Sequence, residues 1–159
     1  MKKYMLVAAL ALSAYACSNS GSAPKGSTEA TANNSSGTAG ATSNYDSTVG
    51  AGKFTHVDLA AKLDPKMAAA GESVYQLKCA ACHKLTGEKL VGPGWQAVTD
   101  RHKPEWILNF VTNTDEMIDK DPKAQAMLAI CMVRMPNQHL NDADARNILE
   151  FMRKNDGIK

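Results

Sequence analysis

The chain has 159 residues, of which 44% are hydrophobic, 6% aromatic and 21% charged, with 18 basic against 16 acidic residues and a formal net charge of +2. This balance excludes a multi-span membrane protein, a collagen-like chain and a wholly disordered one. There is no basic excess of the kind that neutralises phosphates, so nucleic acid is not an expected partner. Four cysteines are too few for a small disulfide scaffold, and each needs its own account.

The chain opens with Lys2 and Lys3, an apolar run from Met5 to Leu12, and mostly small residues from Ser13 to Ala16. The run is far shorter than the roughly 20 residues of a membrane-spanning helix. It is the pattern of a cleaved export signal, residues 1–16. Cys17 stands at the cleavage point. The segment resembles a bacterial lipoprotein signal, in which that cysteine becomes the lipidated first residue. Ala16 fits the pattern; Ala14 stands where such signals usually carry Leu. The resemblance implies a protein held by a lipid on Cys17 at the periplasmic side of a bacterial membrane. A simple secretory signal is the alternative.

Residues 17–52 follow as an expected flexible tether. Ser, Gly, Thr, Ala and Asn dominate, and Tyr45 and Val49 are the only larger apolar members. Such a composition buries too little apolar surface to offset the entropy of ordering. A coil of this length reaches about 33 Å. Residues 53–159 remain as one small domain, at a size where a staple or bound cofactor helps.

This domain reads as all-α, with about four helices. Asp64-Pro65 is a helix start, with Asp as cap and Pro in the first helical position. From there Met67, Ala70, Val74 and Leu77 recur at helical spacing. A second helix is expected from Pro104 to about Asn113, and a third from Asp121-Pro122 to about Cys131. A fourth is capped by Asn141, with Asp142 and Asp144 early, Arg153 and Lys154 late, and Gly157 past its end. Loops are expected over 84–103 and 132–140. No stretch shows convincing two-residue alternation.

Cys79-Ala80-Ala81-Cys82-His83 decides the functional reading. A C-x-x-C-H run places two thiols on one helical turn, where they add to the two vinyl groups of one porphyrin, and directs the adjacent histidine at the iron. Attachment of this kind belongs to exported chains, which agrees with the signal segment. Three other readings compete. A thioredoxin-like pair wants a βαβ setting, which is absent. A structural zinc site wants a second ligand pair, and Cys131 with His139 is a poor one. A Cys79–Cys82 disulfide leaves His83 without a role.

Residues 65–156 resemble a class I c-type cytochrome, the small monohaem fold. The order matches: helix, C-x-x-C-H, Gly-Pro loop, middle helices, Met-Pro loop, last helix. The resemblance implies one covalent haem c on Cys79 and Cys82, with His83 as proximal iron ligand. Gly92-Pro93 stands where the family's backbone carbonyl orients that histidine, a role carried to Pro93. Trp95, just after it, is expected to line the haem pocket. Met135, followed by Pro136, is expected as the sixth ligand, with Met132 the runner-up; a soft thioether favours reduced iron. Met67 and Met152 read as core residues, and Met117 as a loop residue. His56, His102 and His139 read as surface histidines. Gly71, Tyr75 and Phe151 resemble the family's crossing of first and last helices. Trp106 reads as a core residue, and Cys131 as a buried free thiol on the third helix.

The implied function is a one-electron carrier in a respiratory chain, not an enzyme: no general base, nucleophile or phosphate loop appears, and no small-molecule substrate is expected. Its donor would be a quinol-oxidising complex or another cytochrome; its acceptor, a terminal oxidase or an exported reductase. A haem enzyme or gas sensor with an open sixth site, and a structural subunit of a larger redox complex, are the alternatives. Lys78, Lys84, Lys89, Arg101 and Lys103 against Glu88 and Asp100 suggest a positive docking ring for an acidic partner. An ordinary solvated surface is the competing reading.

Overall fold

The computed structural model describes residues 45–159. The signal segment, Cys17 and the tether up to residue 44 lie outside the described residues. Six helices follow in order: α1 (Pro65–Lys78), α2 (Val98–Arg101), α3 (Pro104–Thr112), α4 (Thr114–Lys120), α5 (Pro122–Cys131) and α6 (Asp142–Asn155). Among the described residues there is no strand, only an isolated antiparallel bridge between His83 and Lys89. No described helix is long and apolar enough to cross a membrane.

Three helix starts follow from capping chemistry. The Asp64 side chain accepts from the amides of Lys66 and Met67 at 2.9 and 3.1 Å. Asp121 accepts from Lys123 and Ala124, both at 2.9 Å, and Asn141 from Asp144 at 2.8 Å. Each satisfies amides that the first helical turn leaves free.

The most extensive helix pairing is α1 on α6. A Cβ on Gly71 would lie 1.9 Å from the Asn147 carbonyl oxygen and 2.8 Å from Phe151 Cβ, so only glycine lets the two backbones approach this closely. The Tyr75 and Phe151 rings meet beside it at 5.4 Å and 39°. On α6, Ala145, Ile148, Leu149 and Met152 are buried. Leu77, placed by its spacing on the apolar side of α1, is instead 84% exposed. The buried face of α1 is Ala68, Gly71 and Tyr75, and Leu77 lies on the other side of the helix from Tyr75.

Residues 45–52, expected within the tether, lie against the domain. Asn109, fully buried on α3, accepts from the Phe54 amide at 3.0 Å and donates to the carbonyls of Val49 and Phe54 at 3.0 and 2.9 Å. The Tyr45 hydroxyl donates to Asp121 at 2.8 Å. Backbone polar groups dock this segment together with Ala51, which is buried in the core, and Tyr45, which packs against it. Further on, Val57 N donates to Glu105 at 2.8 Å. A buried pair, Arg153 with both oxygens of Glu150 at 2.8–2.9 Å, reaches out to the Ala60 carbonyl and the Asp64 amide.

Two helices appear where loops or breaks were expected. The four residues of α2 are tied to the end of α6, since Asp156 accepts from the amides of Ala97 and Thr99 and from the Thr99 hydroxyl. On α4, Met117 is fully buried rather than on a loop, and its sulfur accepts from the Ala51 amide at 2.9 Å. Asp121, the cap of α5, is also fully buried.

Candidate functional site

An apolar cleft is lined by residues of the C-x-x-C-H segment, the Gly-Pro loop, α3, α5 and the 132–140 loop. Its wall is overwhelmingly apolar: Val98, Ile107, Val111, Ile118, Leu128 and Met152 contribute from five helices. Cys82, His83, Pro93, Trp95 and Met135 all face it.

The motif segment is folded by its own backbone. Helix α1 stops at Lys78, so the two thiols sit on turns just beyond the helix rather than within it. The amides of Cys82 and His83 both donate to the Cys79 carbonyl, at 3.0 and 2.9 Å. Cys79 is buried, and burial pushes its thiol up to about 11; Cys82 is half-buried. The Tyr75 hydroxyl donates to the His83 carbonyl at 2.7 Å, which ties the segment back to α1.

His83 is held by the next loop. Its Nδ1 lies 2.9 Å from the Pro93 carbonyl oxygen. A carbonyl only accepts, so Nδ1 carries the proton and Nε2 keeps its lone pair. Burial lowers the imidazole's pKa, which favours that neutral form, while the Pro93 carbonyl opposes the shift. Gly92 gives the ring its room: a Cβ there would lie 2.4 Å from His83 Cε1. The Gly92 amide returns to the Cys82 carbonyl at 2.9 Å, and the Trp95 amide to that of Lys84. Trp95 is buried, 5.6 Å from the His83 ring and 5.0 Å from Tyr75.

A family model for cytochrome c matches residues 68–156. The chain belongs to the cytochrome c family. Among solved structures this cytochrome is similar to cytochrome c from Rhodothermus marinus, 31% identical, with 66% of this chain and 90% of that one covered and a TM-score of 0.64. It is similar too to an engineered form of that protein, 30% identical with the same coverage and a TM-score of 0.63. A further engineered structure, bound to a carbene intermediate, is 30% identical with a TM-score of 0.61. No curated protein matches the chain. The fold is the class I cytochrome c fold, the cofactor one covalent haem c, and the family's general role electron transfer.

The residues present fit that group. A haem asks for flat apolar walls, an imidazole with a free nitrogen, and partners for its two propionates. The cleft supplies the first two. For the third, Trp106 Nε1 and His102 Nδ1 are buried polar atoms without a protein partner, on side chains that line this cleft. Buried polar groups are ordinarily satisfied, so an orphaned indole N–H beside an orphaned imidazole nitrogen matches a bound carboxylate.

His102 departs from its expected place on an exposed loop. Its ring stacks on Trp106 at 4.0 Å and 14°, and Trp106 stacks on Phe110 at 5.1 Å and 6°. Burial, with Arg101 and Lys123 nearby, pushes His102 down to about 4. Only Trp106 and Phe110 are related by helical spacing; His102 precedes α3 on extended backbone. Trp106 is core and cleft wall at once. Cys131, expected to be a buried thiol, is half-buried at the cleft's edge, because α5 ends there. Met132 also departs from the site: it is 83% exposed. Among the described residues no three His, Cys, Asp or Glu side chains converge on a metal-binding point.

Proposed function

We propose that this cytochrome is a one-electron carrier of a respiratory chain, exported and tethered to the periplasmic side of a bacterial membrane through Cys17. It receives electrons from a quinol-oxidising complex or another cytochrome and passes them to a terminal oxidase or an exported reductase. The observation that carries the reading is that His83 and Met135, from loops more than 50 residues apart, line one apolar cleft. When bound, the haem supplies an iron that changes between ferrous and ferric.

The residues act by holding rather than reacting. Cys79 and Cys82 fix the macrocycle through thioethers. His83 offers Nε2 to the iron, and the Pro93 carbonyl keeps the ring's tautomer and orientation. Met135 offers its thioether, which favours the reduced state. Trp95 packs behind His83 and shields it from water. The apolar wall disfavours added charge, which again favours reduction. If His83 and Met135 both hold the iron, little in the chain would have to rearrange when an electron moves.

The test is an optical redox titration of the holoprotein and of Met135→Ala. Wild type should titrate reversibly as one single-electron centre. The variant should show a lower midpoint potential and bind carbon monoxide when reduced. An unchanged potential in the variant would remove Met135 from the iron.

A further inference from the structure

Met135 sits on a segment that the backbone hardly holds. From residue 133 to residue 140 no amide or carbonyl makes a backbone–backbone hydrogen bond among the described residues. The opposite wall of the cleft is built otherwise: there the amides of Cys82, His83, Gly92 and Trp95 are all paired with carbonyls. Within the Met135 segment Gln138 Nε2 donates to the Pro136 carbonyl and the His139 amide to the Asn137 side chain, both beyond Met135. The segment is bracketed by two non-glycine residues in the left-handed region, Met132 with φ of 57° and His139 with φ of 51°. Such conformations persist only where the surroundings impose them. Val133, Arg134, Pro136 and His139 are exposed, and the first buried residue is Leu140. Few backbone bonds and little burial mark a segment that opens locally.

Two side-chain ties join it to other elements. Lys78, the last residue of α1, donates to the Gln138 carbonyl at 3.0 Å. Arg134, next to Met135, reaches α4. Its Nη2 donates to the Asp119 carboxylate at 2.9 Å and to the Asp115 carbonyl at 3.1 Å, with the Asp115 carboxylate at 3.4 Å. Asp115 and Asp119 lie one turn apart on a helix that is itself anchored, since Met117 and Ile118 between them are buried. Met135 packs against the core and lines the cleft. A thioether favours reduced iron, so the chain's own hold on this residue counts most in the oxidised protein.

We infer that Arg134 is a positioning residue: by fastening the segment to α4 it keeps the Met135 thioether in the cleft when the protein is oxidised. This rests on the reading of Met135 as an iron ligand and names what holds it there. Arg134, Asp115 and Asp119 are solvent-exposed, so salt weakens the latch.

The experiment uses the haem-loaded, oxidised protein and imidazole, an uncharged probe that competes with Met135. Imidazole affinity is read by optical titration, together with the weak far-red band of ferric iron bound to a thioether. Arg134→Ala should tighten imidazole binding about fivefold, the factor that a strong surface ion pair supplies. Asp119→Asn should act in the same direction and less, because Asp115 remains. The far-red band should weaken in step, and the spectrum of the reduced protein should not change. Removing a positive and a negative charge acts oppositely on the field at the iron, so a shared direction marks the latch. The double substitution should do no more than Arg134→Ala alone. Between about 20 and 500 mM salt, imidazole binding should tighten in wild type and stay constant in Arg134→Ala. Unchanged affinity in Arg134→Ala would overturn the inference. So would opposite effects of the two substitutions, or effects that add in the double variant. Failure of the Met135 reading has a separate sign: oxidised wild type would lack the far-red band, and Met135→Ala would bind imidazole no more tightly than wild type.

Discussion

Gly92 and Pro93 act on His83 from adjoining backbone positions. The Pro93 carbonyl accepts a hydrogen bond from Nδ1–H, and Gly92 leaves the space in which the ring lies. Gly92→Ala would put a methyl group 2.4 Å from Cε1, against a ring that the hydrogen bond holds in place. The expected cost is about 1–3 kcal/mol of holoprotein stability, read from denaturant unfolding, with a shift in the midpoint potential as the ring tilts. Unchanged values for both would mean that the ring relaxes freely. The C-x-x-C-H spacing and the Gly-Pro and Met-Pro pairs were legible because they are local in the sequence. His102 was not legible as a wall residue. Its neighbours Lys103 and Pro104 suggest an exposed loop, whereas its position is set by stacking on Trp106 of α3.

At the scale of elements, α1, α3, α5 and α6 were readable from their starts, because Asp-Pro, Lys-Pro and Asn-Asp signals act within a few residues. The elements that were not readable depend on distant partners. Asp156 holds α2, and the segment from residue 45 is held by Asn109 and Asp121. A composition of small polar residues suggests a free chain, but small residues are also what allow a backbone to lie flat on a helix and offer its amides and carbonyls to Asn109. Tyr45 gives this docking a pH signature. Burial, and then its hydrogen bond to the Asp121 carboxylate, raise the phenol above the ordinary value of about 10. A raised acid contributes stability that is fully present below the unfolded value and is lost as pH climbs past it. Stability should therefore fall above about pH 10. Tyr45→Phe should lose about 1–2 kcal/mol at neutral pH and flatten that alkaline decline. Thermal unfolding of both proteins from pH 8 to 11 checks this; parallel curves would mean that the hydrogen bond contributes nothing.

The described domain packs its helices around an apolar cleft. Its first and last helices cross at Gly71, and the middle helices supply the walls. The buried Arg153–Glu150 pair fastens the segment before α1 to α6, so the crossing is braced as well as packed. An electron carrier needs such a frame. In the proposed carrier, the residues that would hold the iron would have to stay in place in both oxidation states. The most direct measurement is the absorption spectrum of the dithionite-reduced holoprotein with and without carbon monoxide. A sharp c-type spectrum that carbon monoxide leaves unchanged is the result expected if His83 and Met135 both hold the iron, as proposed. A spectrum that shifts on adding the gas would show an open sixth site, and would contradict the carrier reading in favour of a haem enzyme or gas sensor.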